Sequence, residues 1–428
     1  MSRICSPMTT DANGYLVPTT PIDPSTAEQI TVNGWRAFES KAADRVWDNT
    51  KHEMWLMPNG RSLKYFGTGA FNQTGHALND PRIKGIVYTA DWKALEPTLN
   101  GYTMTSIDSA QTTGVNTLLY VLDLAHSLGK KVVLRVWWKS YLGYTATPNA
   151  SQVMVPPYIL NDAQYGGSTA GAYGVKVVYV GTVASGWGAA INRTAVFNRI
   201  TALFDAIANS VVVGTHALLG TNGKIGMHPA FSGFCFDEST FGWVSNNTEP
   251  DGLTFTDFKT INRDLYAAQL NAWATVNTAR QAAGLPKVDQ IAVFNYLDTV
   301  GSLSQAVADT VTEHDYIVNT LGMVPGWSDI DRDDMKQYLG QPAFYKTMND
   351  LLPANSTVKG LVHIDGRTAT NGGNATFATD NTSYQLLNVQ EALRIAGGRP
   401  CRIAVVCEGY NTGSWLALES AMTTLGVA

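Results

Sequence analysis

Eight short apolar runs, at residues 62–71, 83–91, 131–138, 232–238, 290–297, 322–329, 358–365 and 402–408, alternate with longer stretches of helical periodicity. The helical stripes are regular. Leu118, Leu119, Leu122, Ala125 and Leu128 fall on one helix face and stop at Gly129, and Leu265, Gln269, Ala272, Val276 and Ala279 repeat the pattern before Gly284 and Pro286. A strand-then-helix order implies a parallel sheet, and eight such units close as a barrel, so the expected fold class is α/β, a (β/α)8 TIM barrel. A doubly wound open sheet is the alternative. It usually carries a phosphate-binding glycine turn after its first strand, and Phe66-Gly67-Thr68-Gly69-Ala70 is too short for that pattern. Barrels run well past the usual domain length, so residues 51–428 read as one barrel domain and residues 1–50 as an N-terminal arm or cap. The stretches 139–187 and 367–383 each follow a strand, which puts long loops on the C-terminal face of the barrel.

Charge and motifs exclude several function classes. A net charge of −5 with 30 Lys+Arg gives no broad positive field, so no nucleic-acid partner is expected, whereas a neutral or acidic polymer is compatible. The four cysteines, Cys5, Cys235, Cys401 and Cys407, form no C-x-x-C pair, and the extended run 402–406 argues against a bridge between the last two. No zinc site or other metal or cofactor is implied. No HExxH, G-x-S-x-G or P-loop motif is present, no basic-then-apolar leader opens the chain, and no run is long enough to span a bilayer. The expectation is a soluble chain without membrane partners; its oligomeric state is not legible.

In a parallel barrel, side chains at the C-terminal strand ends stop packing the interior and meet the pocket. Here those ends read Asp91-Trp92, Arg135 with Trp137-Trp138, Asp237-Glu238-Ser239, Asn295-Tyr296, Trp327-Ser328-Asp329, His363 with Asp365, and Glu408-Gly409-Tyr410. Carboxylates beside aromatics suit sugar chemistry, because indoles stack on the C–H faces of sugar rings while paired carboxyls protonate the leaving oxygen and attack or activate water. Glu238 follows Phe234-Cys235-Phe236, where partial desolvation favours the protonated form that a general acid needs. Its bland reading is a carboxylate capping a turn. Asp365, Asp329 and Glu408 compete as its partner. Trp92, Trp137, Trp138 and Trp327 are candidate subsite platforms, although the adjacent pair 137 and 138 must face opposite sides of a strand. Arg135, Asp237, Asn295, Tyr296, His363 and Glu408 complete the candidate substrate-binding set. Arg135 is read as a buried ion-pair partner or a ligand to sugar hydroxyls, and His228 and His363 as satisfied histidines rather than catalysts.

These residues carry a resemblance. Asp80-Pro81-Arg82-Ile83-Lys84-Gly85-Ile86-Val87 followed by Asp91-Trp92-Lys93-Ala94-Leu95-Glu96-Pro97 is similar to the second-strand W-x-x-L-E-P signature of clan A barrel glycoside hydrolases, which include family 5 cellulases and family 42 β-galactosidases. Gly129-Lys130-Lys131-Val132-Val133-Leu134 resembles the start of the third strand, Pro156-Pro157-Tyr158-Ile159-Leu160 the loop after it, and the run from Gly233 to Ser239 the fourth strand. The resemblance covers residues 60–410 in order and type. It implies Glu238 as acid/base and a nucleophile on the seventh strand. Two departures stand out: Asp237 where the clan has asparagine, and Asp365 where it has glutamate.

The expected function is therefore hydrolysis of glycosidic bonds in a polysaccharide, endo-acting, by Glu238 with Asp365 or Asp329. The alternative is a non-catalytic carbohydrate-binding or virion structural barrel. The Thr/Asn-rich ends resemble those of virion-associated proteins in composition, which implies a virion-associated or extracellular setting.

Overall fold

The computed structural model describes residues 8–10, 16–18, 27–32, 35–40, 46–58, 77–105, 117–137, 155–165, 190–236, 255–293, 309, 311–327, 351–353, 355–364, 382–407 and 413–428. Eight parallel strands close into a barrel: β1 (His52–Pro58), β2 (Ile83–Asp91), β3 (Lys131–Trp137), β4 (Phe231–Phe236), β5 (Asp289–Val293), β6 (Val324–Trp327), β7 (Gly360–Ile364) and β8 (Cys401–Cys407). Strand β8 pairs with β1 over seven residues, from Cys401↔His52 to Cys407↔Pro58, and this closes the ring. The (β/α)8 expectation holds. The first strand does not sit where the sequence pattern put it: it is His52–Pro58, and residues 62–71 lie outside the described residues.

Helices cover the barrel: α1 (Leu118–Ser127), α2 (Ala190–Asn209), α3 (Phe255–Ala282), α4 (Thr382–Ala396) and α5 (Gly413–Leu425). Thr117 caps α1 by accepting from Tyr120 N–H at 3.4 Å. Both periodic stripes end as the sequence predicts. Gly129 (φ 68°) and Gly284 (φ 73°) take the left-handed conformation, and Lys130 N–H to Ala125 O (2.7 Å) and Leu285 N–H to Arg280 O (2.8 Å) close the two helix ends. Ahead of the barrel lie two antiparallel hairpins, Met8–Thr10 with Leu16–Pro18 and Ala27–Val32 with Trp35–Ser40. Strand Cys401–Cys407 is extended over its whole length, as expected of two cysteines that do not bridge each other.

Strand side chains alternate between two apolar layers. Trp55, Met57, Val87, Val133, Cys235, Ile291, Val293, Val324, Leu361 and Ala404 fill the lumen. Leu56, Tyr88, Leu134, Phe234, Trp327 and Ile364 face outward into the larger layer beneath the helices, against Leu122, Phe204, Trp273, Leu393 and Trp415. The lumen fits because large and small residues interlock. A Cβ at Gly85 would lie 2.4 Å from Trp55 Cζ3 and 2.5 Å from Lys131 O, and one at Gly326 would lie 2.8 Å from Val293 Cγ2. Trp55 thus seals the N-terminal end of the lumen. Its indole N–H donates to Glu53 (3.1 Å), Arg402 lies 5.7 Å from its ring centroid, and Arg402 and Lys359 pair with Asp289 and Glu53. Among the described residues no helix is long and apolar enough to cross a membrane.

Candidate active site at the C-terminal mouth of the barrel

The period-2 phase that puts Val87 and Val133 in the lumen carries Thr89, Asp91, Arg135 and Trp137 up the same side of β2 and β3. Register then sets their heights. Thr89 and Cys235 flank Arg135 on its two neighbours, and Asp91 is level with Trp137 one step nearer the mouth. Across the lumen, β7 contributes His363 by the same alternation from Leu361. Arg135 and His363 are 4% and 3% exposed, and Arg135 Nη1 lies 3.3 Å from His363 Nδ1 and 3.7 Å from Met57 Sδ. The guanidinium also sits 5.3 Å from the centroid of the Trp137 ring.

This geometry fixes a tautomer. A guanidinium only donates, so His363 Nδ1 accepts and its ring proton sits on Nε2. The mouth thus holds a permanent cation, a neutral imidazole, an indole and the fully buried carboxyl of Asp91, and the buried Thr89 hydroxyl has no hydrogen-bond partner among the described residues. Three of the expected site residues, Arg135, Trp137 and His363, are brought together here. Met57 and Thr89 were not singled out by sequence, Cys235 was read only as a small core residue, and Asp91 only as a strand end. The lumen phase of each strand is the signal that finds them. Glu238, Asp365, Asp329, Asp237, Asn295, Tyr296, Trp138 and Glu408 lie outside the described residues.

Two expected platforms belong elsewhere. Trp327 is 1% exposed and on the outward phase of β6, stacked on the His314 ring at 4.6 Å and 3°. Trp92 is fully buried in the same outer layer. Neither has surface to offer a sugar ring, and both are core residues. Trp92 also explains the W-x-x-L-E-P segment structurally. Its indole N–H donates to Glu96 Oε2 at 2.9 Å, and Glu96 Oε1 accepts from Asn100 N–H (3.0 Å) and from Arg199 of α2. Arg199 reaches further, to Asn100 Oδ1 (2.9 Å) and to the hydroxyls of Tyr158 and Tyr102 (3.3 Å each). This clamp ties the segments after β2 and β3 to α2, directly behind Asp91. Burial raises the Tyr158 hydroxyl above its ordinary pKa, so it remains a neutral partner to the guanidinium.

No protein-family model and no curated protein matches the sequence. Solved structures give fold-level likenesses. An exo-β-1,4-mannosidase from Opitutaceae bacterium strain TAV5 aligns over 100% of this chain at 9% identity with a TM-score of 0.41, and the chain spans 63% of that protein's length. An endocellulase from Pyrococcus horikoshii aligns over 87% of this chain and 92% of its own at 9% identity and a TM-score of 0.40. Endo-glycoceramidase II from Rhodococcus sp. aligns over 76% of each chain at 11% identity and a TM-score of 0.36. The assignment of a TIM barrel rests on the strand pairing above. The compositional likeness of the chain ends to virion-associated proteins gains no support from these structures.

Proposed function

We propose that this barrel is a glycoside hydrolase that cleaves O-glycosidic bonds within a polysaccharide, with Glu238 as general acid/base and Asp365 or Asp329 as the second carboxylate. The observation that carries the reading is the polar C-terminal mouth of the lumen, where Arg135 of β3 meets His363 of β7 beside Asp91 and Trp137. An apolar barrel has no packing reason to bury a guanidinium, an imidazole and a carboxyl at the one end where (β/α)8 enzymes bind substrate. Strands β4 and β7 end at Phe236 and Ile364, two residues before Glu238 and one before Asp365. Both carboxylates therefore follow strands whose C-terminal ends surround this mouth.

In the proposed reaction Glu238 protonates the glycosidic oxygen as the bond to the anomeric carbon breaks. The second carboxylate either attacks that carbon or takes a proton from the attacking water, depending on the separation of the pair. Arg135 and His363 Nε2–H offer donors to sugar hydroxyls, and Trp137 offers a stacking face. No metal or cofactor is invoked. The test is release of new reducing ends from a panel of polysaccharides by the wild type and by Glu238→Gln. Loss of about 10²–10⁴-fold in rate with the fold intact is expected. Wild-type turnover in Glu238→Gln, or no release from any polymer by the wild type, removes the reading. Azide added to Asp365→Ala and Asp329→Ala separately then identifies the partner by the glycosyl azide it forms.

A further inference from the structure

At the opposite, N-terminal end of the barrel, Asp123 of α1 holds two histidines at once. His228, just before β4, puts Nε2 3.1 Å from Asp123 Oδ1, and His216, on the small hairpin Thr215–His216 with Gly220–Thr221, puts Nε2 3.1 Å from Oδ2. The other nitrogen of each ring is also occupied. Ala230 N–H donates to His228 Nδ1 (3.2 Å) and Leu218 N–H to His216 Nδ1 (3.3 Å), so in both rings the single proton sits on Nε2 and points at the carboxylate. A metal ion at Nε2 would need the lone pair that this tautomer lacks, and a second proton at Nδ1 would face a backbone N–H. The wiring therefore accepts neutral imidazoles and nothing else.

We propose that Asp123, His216 and His228 form an acid-released latch that holds the segment 211–223 against α1 near neutral pH and frees it as the pH falls. Val212 is buried in the core at the base of the segment and Leu219 packs against that core, so what the latch releases is the hairpin's contact with α1. The segment is closed by its own bonds, Val212 N–H to Gly223 O (2.9 Å) and Asn222 N–H to Gly214 O (2.8 Å), and Val213 beside its base is 90% exposed. His216 and Asp123 tie it to α1.

The surrounding charges set the direction. The His126 ring of α1 lies 5.9 Å from that of His228, and the His216 ring 6.1 Å, so a proton on one imidazole opposes a proton on the next. Arg280 of α3 donates to the carbonyls of Gly226 and His228 (2.8 Å each), and Lys131 of β3 to that of Pro229 (2.9 Å); both stay cationic in this range and disfavour a further positive charge. Burial first, then His126 and His216, lower His228 below 6.5 against the pull of Asp123. Burial raises Asp123, but the hydrogen bonds from His228 and His216 outweigh it and keep it ionised. A depressed histidine stabilises the closed form above its ordinary pKa, and that stability is lost as the pH falls through the lower value.

The test is hydrogen–deuterium exchange of the full chain at about pH 7.5 and about pH 5, corrected for intrinsic rates. Protection of amides 211–223 is expected to fall about tenfold for each unit separating the closed and open pKa values, with β3 and β4 unchanged. Asp123→Asn, which can accept from only one ring, is expected to show low protection at both pH values. His228→Gln keeps a donor without a titration, so its fall is expected to be shallower than that of the wild type. Equal wild-type protection at the two pH values, a fall shared equally by β3 and β4, or wild-type behaviour in both variants would overturn the proposal.

Discussion

Replacing Arg199 with methionine tests whether the clamp behind Asp91 holds the segments after β2 and β3 in place. Glu96 is fully buried, and its carboxylate has three donors: Trp92 Nε1, Asn100 N–H and Arg199 Nη2. Removing one partner of a buried pair costs about 3–5 kcal/mol, because the remaining charge stays buried. Two donors survive here and the Arg199 side chain is 13% exposed, so the lower end, about 3 kcal/mol, is expected. With an unfolding entropy of about 2.1 cal/mol/K per residue, 428 residues give about 0.9 kcal/mol/K, so the melting temperature falls by about 3 °C. The assay is thermal unfolding of the wild type, Arg199→Met, Glu96→Gln and the double variant. A coupling energy of about 2 kcal/mol or more is expected from this cycle. A coupling under about 0.5 kcal/mol, the size of an exposed pair, would refute the argument.

Trp327→Ala should lower stability by about 3–5 kcal/mol and leave polysaccharide binding unchanged, since the indole lies against His314 under the helices; weaker binding at an unchanged melting temperature would return it to the groove. His52 accepts from Asp48 N–H at 2.9 Å and is pushed down by burial from 6.5 to about 4, so it stays neutral in the fold. Its contribution, about 3 kcal/mol, is present above pH 6.5 and lost as the pH falls toward 4. His52→Gln should flatten that limb of the urea midpoint against pH, and a limb as steep as the wild type's would assign the acid sensitivity to other groups.

The fold was legible where local chemistry and tertiary packing agree. Strands β2 to β8 lie within a few residues of their apolar runs because each buries both faces, one in the lumen and one under helices, so every position favours an apolar residue. Helix ends were legible for a similar reason, since Gly129 and Gly284 mark left-handed turns. Strand β1 was missed because His52, Glu53 and Pro58 break its apolar run. Glu53 is tolerated only because Trp55 and Lys359, the latter 306 residues away, hydrogen-bond to it. The Glu96 to Arg199 clamp and the Asp123 to His216 and His228 contacts likewise join residues about 100 positions apart, for which no local spacing exists. Trp92 and Trp327 were misjudged for another reason: residue type was read without phase. Val324 faces the lumen, so Trp327, three positions on, faces out, whereas Arg135, two positions after Val133, faces in.

Phase also separates the work of the two barrel ends. At the N-terminal end, charges meet carbonyls or opposite charges: Lys130 donates to Asp80 O (2.8 Å) and Ile83 O (2.6 Å), Arg280 to Pro286 O (2.7 Å) and Phe231 O (3.0 Å), and Arg402 pairs with Asp289. These contacts hold the N-terminal end of the barrel together. At the C-terminal end, Arg135 contacts a thioether, a neutral imidazole and an indole. There it favours the ionised form of a carboxylate and opposes a second positive charge. A two-carboxylate reaction needs one carboxyl ionised and the other protonated. Arg135 on β3 and Asp91 on β2 supply fixed groups against which carboxylates following β4 and β7 can be tuned apart.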